Sequence, residues 1–448
     1  MTKTITILGA GKSSYNLVSY LSKNQERIGI DIKVISNKTP KYFNDFQKID
    51  FQKIDINDNS QISKQIKSSF IVVSLLPPKL HYQIALICSS HKINMITASY
   101  LDEKIKSLEK KFKKNNCFLF MEIGLDPGLD HLSAKKDIDD LNKKGKILGF
   151  ESYTGGLIKK NKENPWGYKF TWNPMNVITA GVDGAKYLDD GKIIDVPYDK
   201  IFSSVKNIKF KNSDLYEGYP NRDSLKYRSL YKLENVKTLK RGTLRHPGFC
   251  KSWNVLVNLG LTDDINTIKN PKLETYFDFF NYKLNLSDLK KLKKYIKKNF
   301  LIESDSKEFK NLNWLDLFSN YKLLNRSKKA SHLLLDILKN KWKLKKDDID
   351  IVVMYHSFIY KENNHFKRKE SFMKIEGKNN LETAMSKTVG LPIALLIELI
   401  IKKNLEFKGV FLPFDEIIYN PLLSKLEDNG ITFNHSTSNI QKCPCNLS

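Results

Sequence analysis

Two stretches of this chain combine residue types and spacing that could do chemistry. The first is "ILGAGKSSYN" at positions 7 to 16. Its Gly11-Lys12-Ser13 looks like the end of a phosphate-binding P-loop, but such a loop needs a glycine five residues earlier. Thr6 stands there, β-branched and inside an apolar run. The dinucleotide template fits instead. Gly9-Ala10-Gly11 follows the run directly, and Ser14 takes the third-glycine place. Gly9 would allow the tight turn and Gly11 would let the backbone approach a pyrophosphate. The next helix would offer its free N–H groups to the same phosphates. The second stretch is "RDSLKYRSLYKLENVKTLKRGTLR". Of the 75 basic residues only seven are arginines (27, 222, 228, 241, 245, 326 and 368), and four fall in this window. The planar guanidinium fork pairs bidentately with a carboxylate, which lysine does not. The simplest partner is a small molecule with several carboxylates; phosphate of the dinucleotide is a second.

The likeness to a dinucleotide fold also bears on which dinucleotide. NAD-binding folds end the second strand with Asp or Glu for the ribose 2′-hydroxyl. Here "DIKVI" runs into Ser36, Asn37 and Lys38, and Asp31 is at the wrong end. Hydroxyl, amide and ammonium suit a 2′-phosphate, so NADP is expected, with NAD as the alternative.

These residues need elements to position them. Over the first 125 residues strands and helices alternate: "TITIL", a helix from 13 to 23, "IDIKVI", the tandem "FQKIDFQKID" leading into a third strand, "FIVVSLL", a helix from 80 to 89, "NMIT" and "CFLFM". Near-continuous apolar strands separated by helices predict a parallel sheet covered on both faces. The FQKID doublet is too short for a repeat architecture and belongs on an edge or loop. From Gly124 the texture shifts to Gly, Pro and aromatics among strands such as "ILGFESY" and "DIDIVVMYHSFIY", which predicts an α+β domain. Residues 262–346 read as a helical insertion through "LSDLKKLKKYIKKNFL", "WLDLFSN" and "SHLLLDILKNKW".

Composition excludes several classes. The chain of 448 residues is 41% hydrophobic, enough for sizeable cores. Its charge of +26 comes almost wholly from 68 lysines spread over every segment, without the arginine and aromatic platforms of nucleic-acid surfaces. No nucleic-acid partner is expected. "LPIALLIELIIKK" is interrupted by Glu398 and reads as too short for a bilayer, so no membrane is expected either. The first residues already form a strand and turn rather than a signal peptide. Five scattered cysteines suit a reducing compartment such as the cytoplasm, and the "CNLS" end at Cys445 reads as a frayed tail beside Cys443. No metal site is indicated.

The chain resembles the saccharopine reductases, the glutamate-forming saccharopine dehydrogenases, over essentially its whole length. The resemblance rests on "TASY" (97–100), "EIGLDPGLDH" (122–131), "SYTGGL" (152–157), "NPWGYKFTW" (164–172), "YPNRDS" (219–224), "RGTLRHPGF" (241–249), "TAMSKTVGLP" and "GVFLPFDEIIYNPLL". It implies a Rossmann-type dinucleotide domain (1–123, joined by 384–448), an α+β substrate domain with a mixed sheet (124–261 and 347–383), and a helical insertion (262–346). It also implies a reaction: saccharopine, NAD(P)⁺ and water give L-glutamate, 2-aminoadipate 6-semialdehyde and NAD(P)H, in lysine metabolism.

Carried over by motif, the turn of Gly9, Gly11, Lys12, Ser13 and Ser14 meets the dinucleotide. Ser36, Asn37 and Lys38 hold its adenosine end, flanked by Asp55 and Ile56. Relatives specific for NADP often have Arg where Asn37 stands. Thr97 and Ala98 line the cofactor side, Ser99 and Tyr100 the substrate side. Gly124, Leu125 and Asp126 lie between the two ligands, and Val177 near the nicotinamide. Asn221, Arg222, Asp223 and Thr243 hold substrate. Cys often stands in relatives where this chain has Thr154. Asp126 is the candidate for proton handling or for binding the secondary amine, and Tyr100 is a hydrogen-bond candidate whose alternative is a packed aromatic; His131 and His246 read as structural. A homodimer is one assembly such a chain could adopt. Two competing readings are a carboxynorspermidine-synthase-like reductive condensation of an aldehyde with an amine, and a non-catalytic dinucleotide-binding regulator. The first would need fewer arginines; the second would have eroded Asp126 and the surroundings of Arg222, which are intact.

Overall fold

The computed structural model describes residues 2–40, 42–46, 48–159, 163–210, 214–268, 273–324 and 327–441. Arg326, Cys443 and Cys445 lie outside them. The chain forms two compact units. One holds the residues up to Lys144 together with Ile375–Phe433; the other holds Gly145–Lys374 and the residues from Asn434 on.

In the first unit the alternating apolar segments become β1 (Lys3–Leu8), β2 (Ile30–Ser36), β3 (Ile49–Lys53), β4 (Ile71–Ser74), β5 (Asn94–Thr97) and β6 (Phe118–Phe120). They pair in the order 3-2-1-4-5-6, all parallel, and Gly409–Phe411 adds a seventh strand beyond β6. This is the doubly wound order of dinucleotide-binding folds, whose direction of winding reverses between β1 and β4. Side chains of both parities are buried in the central strands: Ile5, Ile7 and Leu8 in β1, Ile71, Val72 and Val73 in β4. Helices on both faces cause this. The junction of the two FQKID copies, Ile49–Lys53, forms β3, the sheet's edge strand, in line with the expected edge or loop position.

The apolar segment near the C-terminus forms one helix, Ala384–Lys402, which is 19 residues long and by length and composition could cross a membrane. The apolar run expected to be too short for a bilayer thus lies in a helix long enough for one, because Glu398 does not interrupt it. It is instead a core element: 83% of its apolar window is buried. It approaches the helix Tyr15–Lys23 so closely that a β-carbon on Gly390 would sit 2.7 Å from the backbone nitrogen of Leu17. Glu398 is only 2% exposed. Its carboxylate accepts both terminal nitrogens of Arg27 (2.7 and 2.9 Å), Nζ of Lys425 (2.7 Å) and the Tyr20 hydroxyl (2.7 Å). Burial alone would raise its pKa, but these donors outweigh burial and hold it down to about 2.

The second unit carries β7 (Lys146–Ile158), β8 (Ala185–Asp189), β9 (Lys192–Val196), β10 (Lys206–Lys209), β11 (Leu215–Pro220), β12 (Arg222–Asp223), β13 (Thr238–Arg245), β14 (Asp350–Glu362) and β15 (His365–Glu376). The main order is 10-11-13-7-14-15, closed by Asn434–Ile440, with β8, β9 and β12 branching off. β13 runs parallel to β7 while β14 and β11 run antiparallel to their neighbours, so the sheet is mixed. The helices Tyr276–Asn281, Leu289–Phe300, Lys307–Trp314 and Ala330–Lys341 share one core with the elements around the sheet, joining Leu334, Leu338 and Trp342 to Trp166, Phe249 and Trp253. The "WLDLFSN" segment is not a helix: the helix ends at Trp314, and Asp316 at φ +59° turns the chain away.

The unit boundaries differ from the sequence division in four places. Residues 375–383 go with the first unit rather than the second. The helix Leu129–Asn142 goes with the first unit, where it packs on the helix Glu416–Asp428. The strand Asn434–Ile440 goes with the second, pairing with β15. The helical insertion is part of the second unit.

Candidate active site

The carboxyl ends of β1, β2 and β3 carry the expected dinucleotide residues along one edge of the sheet, beside the switch point. Gly9 has φ +98°, and a β-carbon there would lie 3.1 Å from the Leu75 carbonyl oxygen at the end of β4. The fold itself therefore requires this glycine. Gly11 differs: a β-carbon on it would meet nothing within 4 Å, so the space over it is open. Ser14 is more than a stand-in for the third glycine. Its buried hydroxyl donates to the Gly11 carbonyl (2.7 Å) and meets the Tyr42 hydroxyl (2.5 Å), which pins the turn. Lys12 is exposed and Ser13 half-buried beside it.

At the next loop Asn37 Oδ1 accepts the backbone N–H of Ile56 (3.0 Å), tying the tip after β2 to the tip after β3. Ser36 is half-buried and Lys38 exposed. Asp55 turns its carboxylate on Asn57, backbone and side chain (3.0 and 2.9 Å). Asp31, at the far end of β2, accepts the Thr2 hydroxyl instead. The end of β2 thus offers amide, hydroxyl and ammonium, as a 2′-phosphate would need.

The loops after β4, β5 and β6 form the other half of this edge. Thr97 is buried, Ala98 half-buried, and Gly124 approaches Ala98 so closely that its β-carbon would lie 2.7 Å from that of Ala98. Leu125 is buried, and Gly124 donates its N–H to the Pro127 carbonyl (2.9 Å). The Tyr100 hydroxyl donates to Asp126 Oδ1 (2.8 Å), so the two catalytic candidates are one hydrogen-bonded pair, both half-buried.

Two residues that sequence reasoning missed bond the chain neighbours of Tyr100, namely Leu101 and Ser99. Glu122, 2% exposed and at φ +60°, accepts the Leu101 N–H (2.9 Å) and bonds Nε2 of His131 (2.7 Å). It lies within the quoted "EIGLDPGLDH", which was its only signal. His81 is 1% exposed and joins Ser74 to Ser99, with no signal in the sequence at all. Of the two histidines read as structural, His131 is fully buried on Glu122 and His246 bonds the Ile158 carbonyl (3.0 Å).

The second unit holds the remaining candidates. Val177, 2% exposed in the helix Pro174–Ile178, belongs to the aromatic core. Thr243 is half-buried on β13, in register beside Thr154 of β7, whose buried hydroxyl has no hydrogen-bond partner among the described residues. Asn221 donates its N–H to the Arg241 carbonyl (3.0 Å). Arg222 is exposed at φ +57°, a conformation unfavourable for a residue with a β-carbon. Asp223 accepts the Leu225 N–H (2.9 Å) and shapes the following turn. The other cluster arginines use their planar forks locally. Arg228 donates to the Glu234 carbonyl, Arg241 lies over the Tyr227 ring (4.3 Å), and Arg245 is surrounded by Tyr168, Tyr219 and Phe249. Bidentate pairing of arginine with carboxylate occurs at Arg27, outside the cluster.

Comparison with known proteins decides the family. Residues 5–119 match the saccharopine dehydrogenase NADP binding domain, and residues 124–431 match the saccharopine dehydrogenase C-terminal domain. The chain belongs to the saccharopine dehydrogenase family. The solved structure of apo histidine-tagged saccharopine dehydrogenase (L-Glu forming) from Saccharomyces cerevisiae superposes with a TM-score of 0.85 at 27% identity, over 97% of this chain and 100% of that one. The S. cerevisiae protein named saccharopine dehydrogenase [NADP(+), L-glutamate-forming] is 28% identical over 98% of this chain and its own full length. The mitochondrial alpha-aminoadipic semialdehyde synthase of Rattus norvegicus is 33% identical over 96% of this chain but only 47% of its own. The chain thus spans about half the length of the mammalian relatives it matches. It carries the family's NADP-binding domain, and the open Gly11, the pinned turn and the end of β2 fit that cofactor.

Proposed function

We propose that the protein interconverts saccharopine, NADP⁺ and water with L-glutamate, 2-aminoadipate 6-semialdehyde and NADPH. The observation that carries this reading is the match to the yeast enzyme of that name over 98% of this chain and the whole of that one. The bound dinucleotide supplies hydride acceptance. The chain's own residues do the rest. Gly11, Lys12 and Ser13, in the turn before the helix Tyr15–Lys23, hold the pyrophosphate; Ser36, Asn37 and Lys38 hold the 2′-phosphate end. Within the first unit Ser99, Tyr100 and Asp126 are the saccharopine contacts; the second unit, taken by itself, carries the candidates Asn221, Arg222, Asp223 and Thr243. The Asp126 carboxylate, oriented by the Tyr100 hydroxyl at 2.8 Å, holds the secondary ammonium and takes up its proton. Because Thr154 stands where relatives often carry Cys, the chemistry proceeds without a thiol at that position.

The reading includes a small tricarboxylate as ligand, a homodimeric assembly, and a cytoplasmic location. Three cysteines that are free and buried, Cys88, Cys117 and Cys250, suit a reducing compartment. The test is an assay of purified protein with saccharopine and either NADP⁺ or NAD⁺, following reduced nicotinamide by absorbance. Turnover with NADP⁺ at lower cofactor KM than with NAD⁺ is expected. Absence of turnover with both would reject the reading.

A further inference from the structure

Ser74 closes β4, and its fully buried hydroxyl meets Nδ1 of His81 at 3.0 Å. The imidazole, 1% exposed, meets the Ser99 hydroxyl through Nε2 at 2.6 Å. Ser99 is half-buried, and its backbone is fixed on both sides. Its N–H donates to Thr97 Oγ1 (3.3 Å) and its carbonyl accepts the Glu122 N–H (3.1 Å). Burial pushes the His81 pKa down to about 4, against the raising effect of the Asp102 carboxylate, so the ring is neutral near pH 7. A neutral imidazole has one N–H and one lone pair.

The polarity of this chain follows from Ser74. Its hydroxyl is sealed from water, and His81 is its bonded partner. A buried O–H left unmade is more unfavourable than an unused lone pair on an oxygen already bonded. Ser74 therefore donates to Nδ1, the ring proton sits on Nε2, and Nε2–H donates to Ser99 Oγ. The Ser99 proton is then turned away from the imidazole. We infer that His81 is a positioning residue that fixes Ser99 as a hydrogen-bond donor toward a carboxylate of the bound amino acid. An ammonium group, which only donates, would be served by the opposite polarity. The inference rests on the proposed role of Ser99 as a substrate contact.

The test has two parts. In ¹⁵N-histidine-labelled protein, NMR of the eight histidines, with His81 assigned by loss of its signal in His81→Gln, should show a neutral Nε2–H ring. An Nδ1–H ring overturns the relay. Kinetics of His81→Phe, Ser99→Ala and the double variant should each show saccharopine KM raised about tenfold, the scale of one hydrogen bond. The double variant should be no worse than either single one, and NADPH affinity should hold within about twofold. His81→Gln, whose amide can accept from Ser74 and donate to Ser99, should recover most of the loss. Multiplying losses in the double variant, an unchanged KM in His81→Phe, or equal loss of NADPH binding would overturn it. The tautomer is read on the protein alone, so the two ideas fail separately. An Nε2–H ring without saccharopine turnover would sink the proposed reaction and with it the ligand assignment. Turnover with an Nδ1–H ring would sink the relay alone.

Discussion

Gly11→Ala separates a glycine kept for a ligand from one kept for the fold. A β-carbon at Gly11 would meet no atom within 4 Å, and its φ is not in the left-handed region. The substitution should therefore leave the protein as stable as before, or raise stability by up to about 1 kcal/mol through a less flexible unfolded chain. The same methyl would occupy the open space over the turn, where the pyrophosphate must come within hydrogen-bonding distance of backbone N–H groups. Lengthening or losing one bond to a charged phosphate is worth about 1.5–3 kcal/mol, which corresponds to a weakening of NADPH binding by roughly 10- to 150-fold. Gly9→Ala is the contrast. Its left-handed φ of +98° and the Leu75 carbonyl oxygen 3.1 Å from the new carbon act on the fold itself. It should destabilise by at least about 1–2 kcal/mol. Thermal melts and titration of NADPH fluorescence on both variants give four numbers. If Gly11→Ala binds NADPH like the parent protein, the pyrophosphate does not lie on this turn. If it melts several degrees lower, the reasoning about open space is wrong.

Lys38→Ala should weaken NADPH by about 1 kcal/mol and NADH hardly at all; equal losses measured by fluorescence would remove Lys38 from the 2′-phosphate. Asp126→Asn should keep NADPH affinity while lowering kcat and shifting its pH profile, and a profile identical to the parent's would make Asp126 dispensable. Arg222→Lys keeps charge and loses the fork, so saccharopine KM should rise by about 1–2 kcal/mol equivalent, discounted for the exposure of Arg222, with NADPH binding unchanged. Glu398→Gln should lower stability at pH 7 by about 2–3 kcal/mol, less than a fully buried pair because Arg27 and Lys425 can rehydrate. The folded carboxyl has its pKa depressed to about 2 from an ordinary 4.5, so its stabilisation is complete above pH 4.5 and is lost as pH falls toward 2. The melting gap between parent and variant should shrink across that window, and a constant gap would refute the assignment.

Much of the first unit was legible because its signals are local. A glycine turn directly after an apolar strand specified the β1 loop, and the missing carboxylate after β2 specified the end that Asn37 and Lys38 occupy. The "EIGLDPGLDH" motif located Asp126. What could not be read depends on distant partners. His81 and Ser99 are 18 residues apart, and only the packing of the helix Pro78–Ser90 against the ends of β4 and β5 makes them neighbours. Glu398 looked like an interruption of an apolar helix because Arg27, 371 positions away, is invisible as its partner in sequence. The arginine window singled out planar forks, but aromatic faces and carbonyls compete with carboxylates for such forks. That competition left Arg222 as the exposed member of the four.

The most direct test of the account is product identification. Purified protein is incubated with saccharopine and NADP⁺, and amino acids are quantified beside NADPH. The account predicts one L-glutamate and one 2-aminoadipate 6-semialdehyde for each NADPH formed. Lysine and 2-oxoglutarate as products, or NADPH without glutamate, would contradict it.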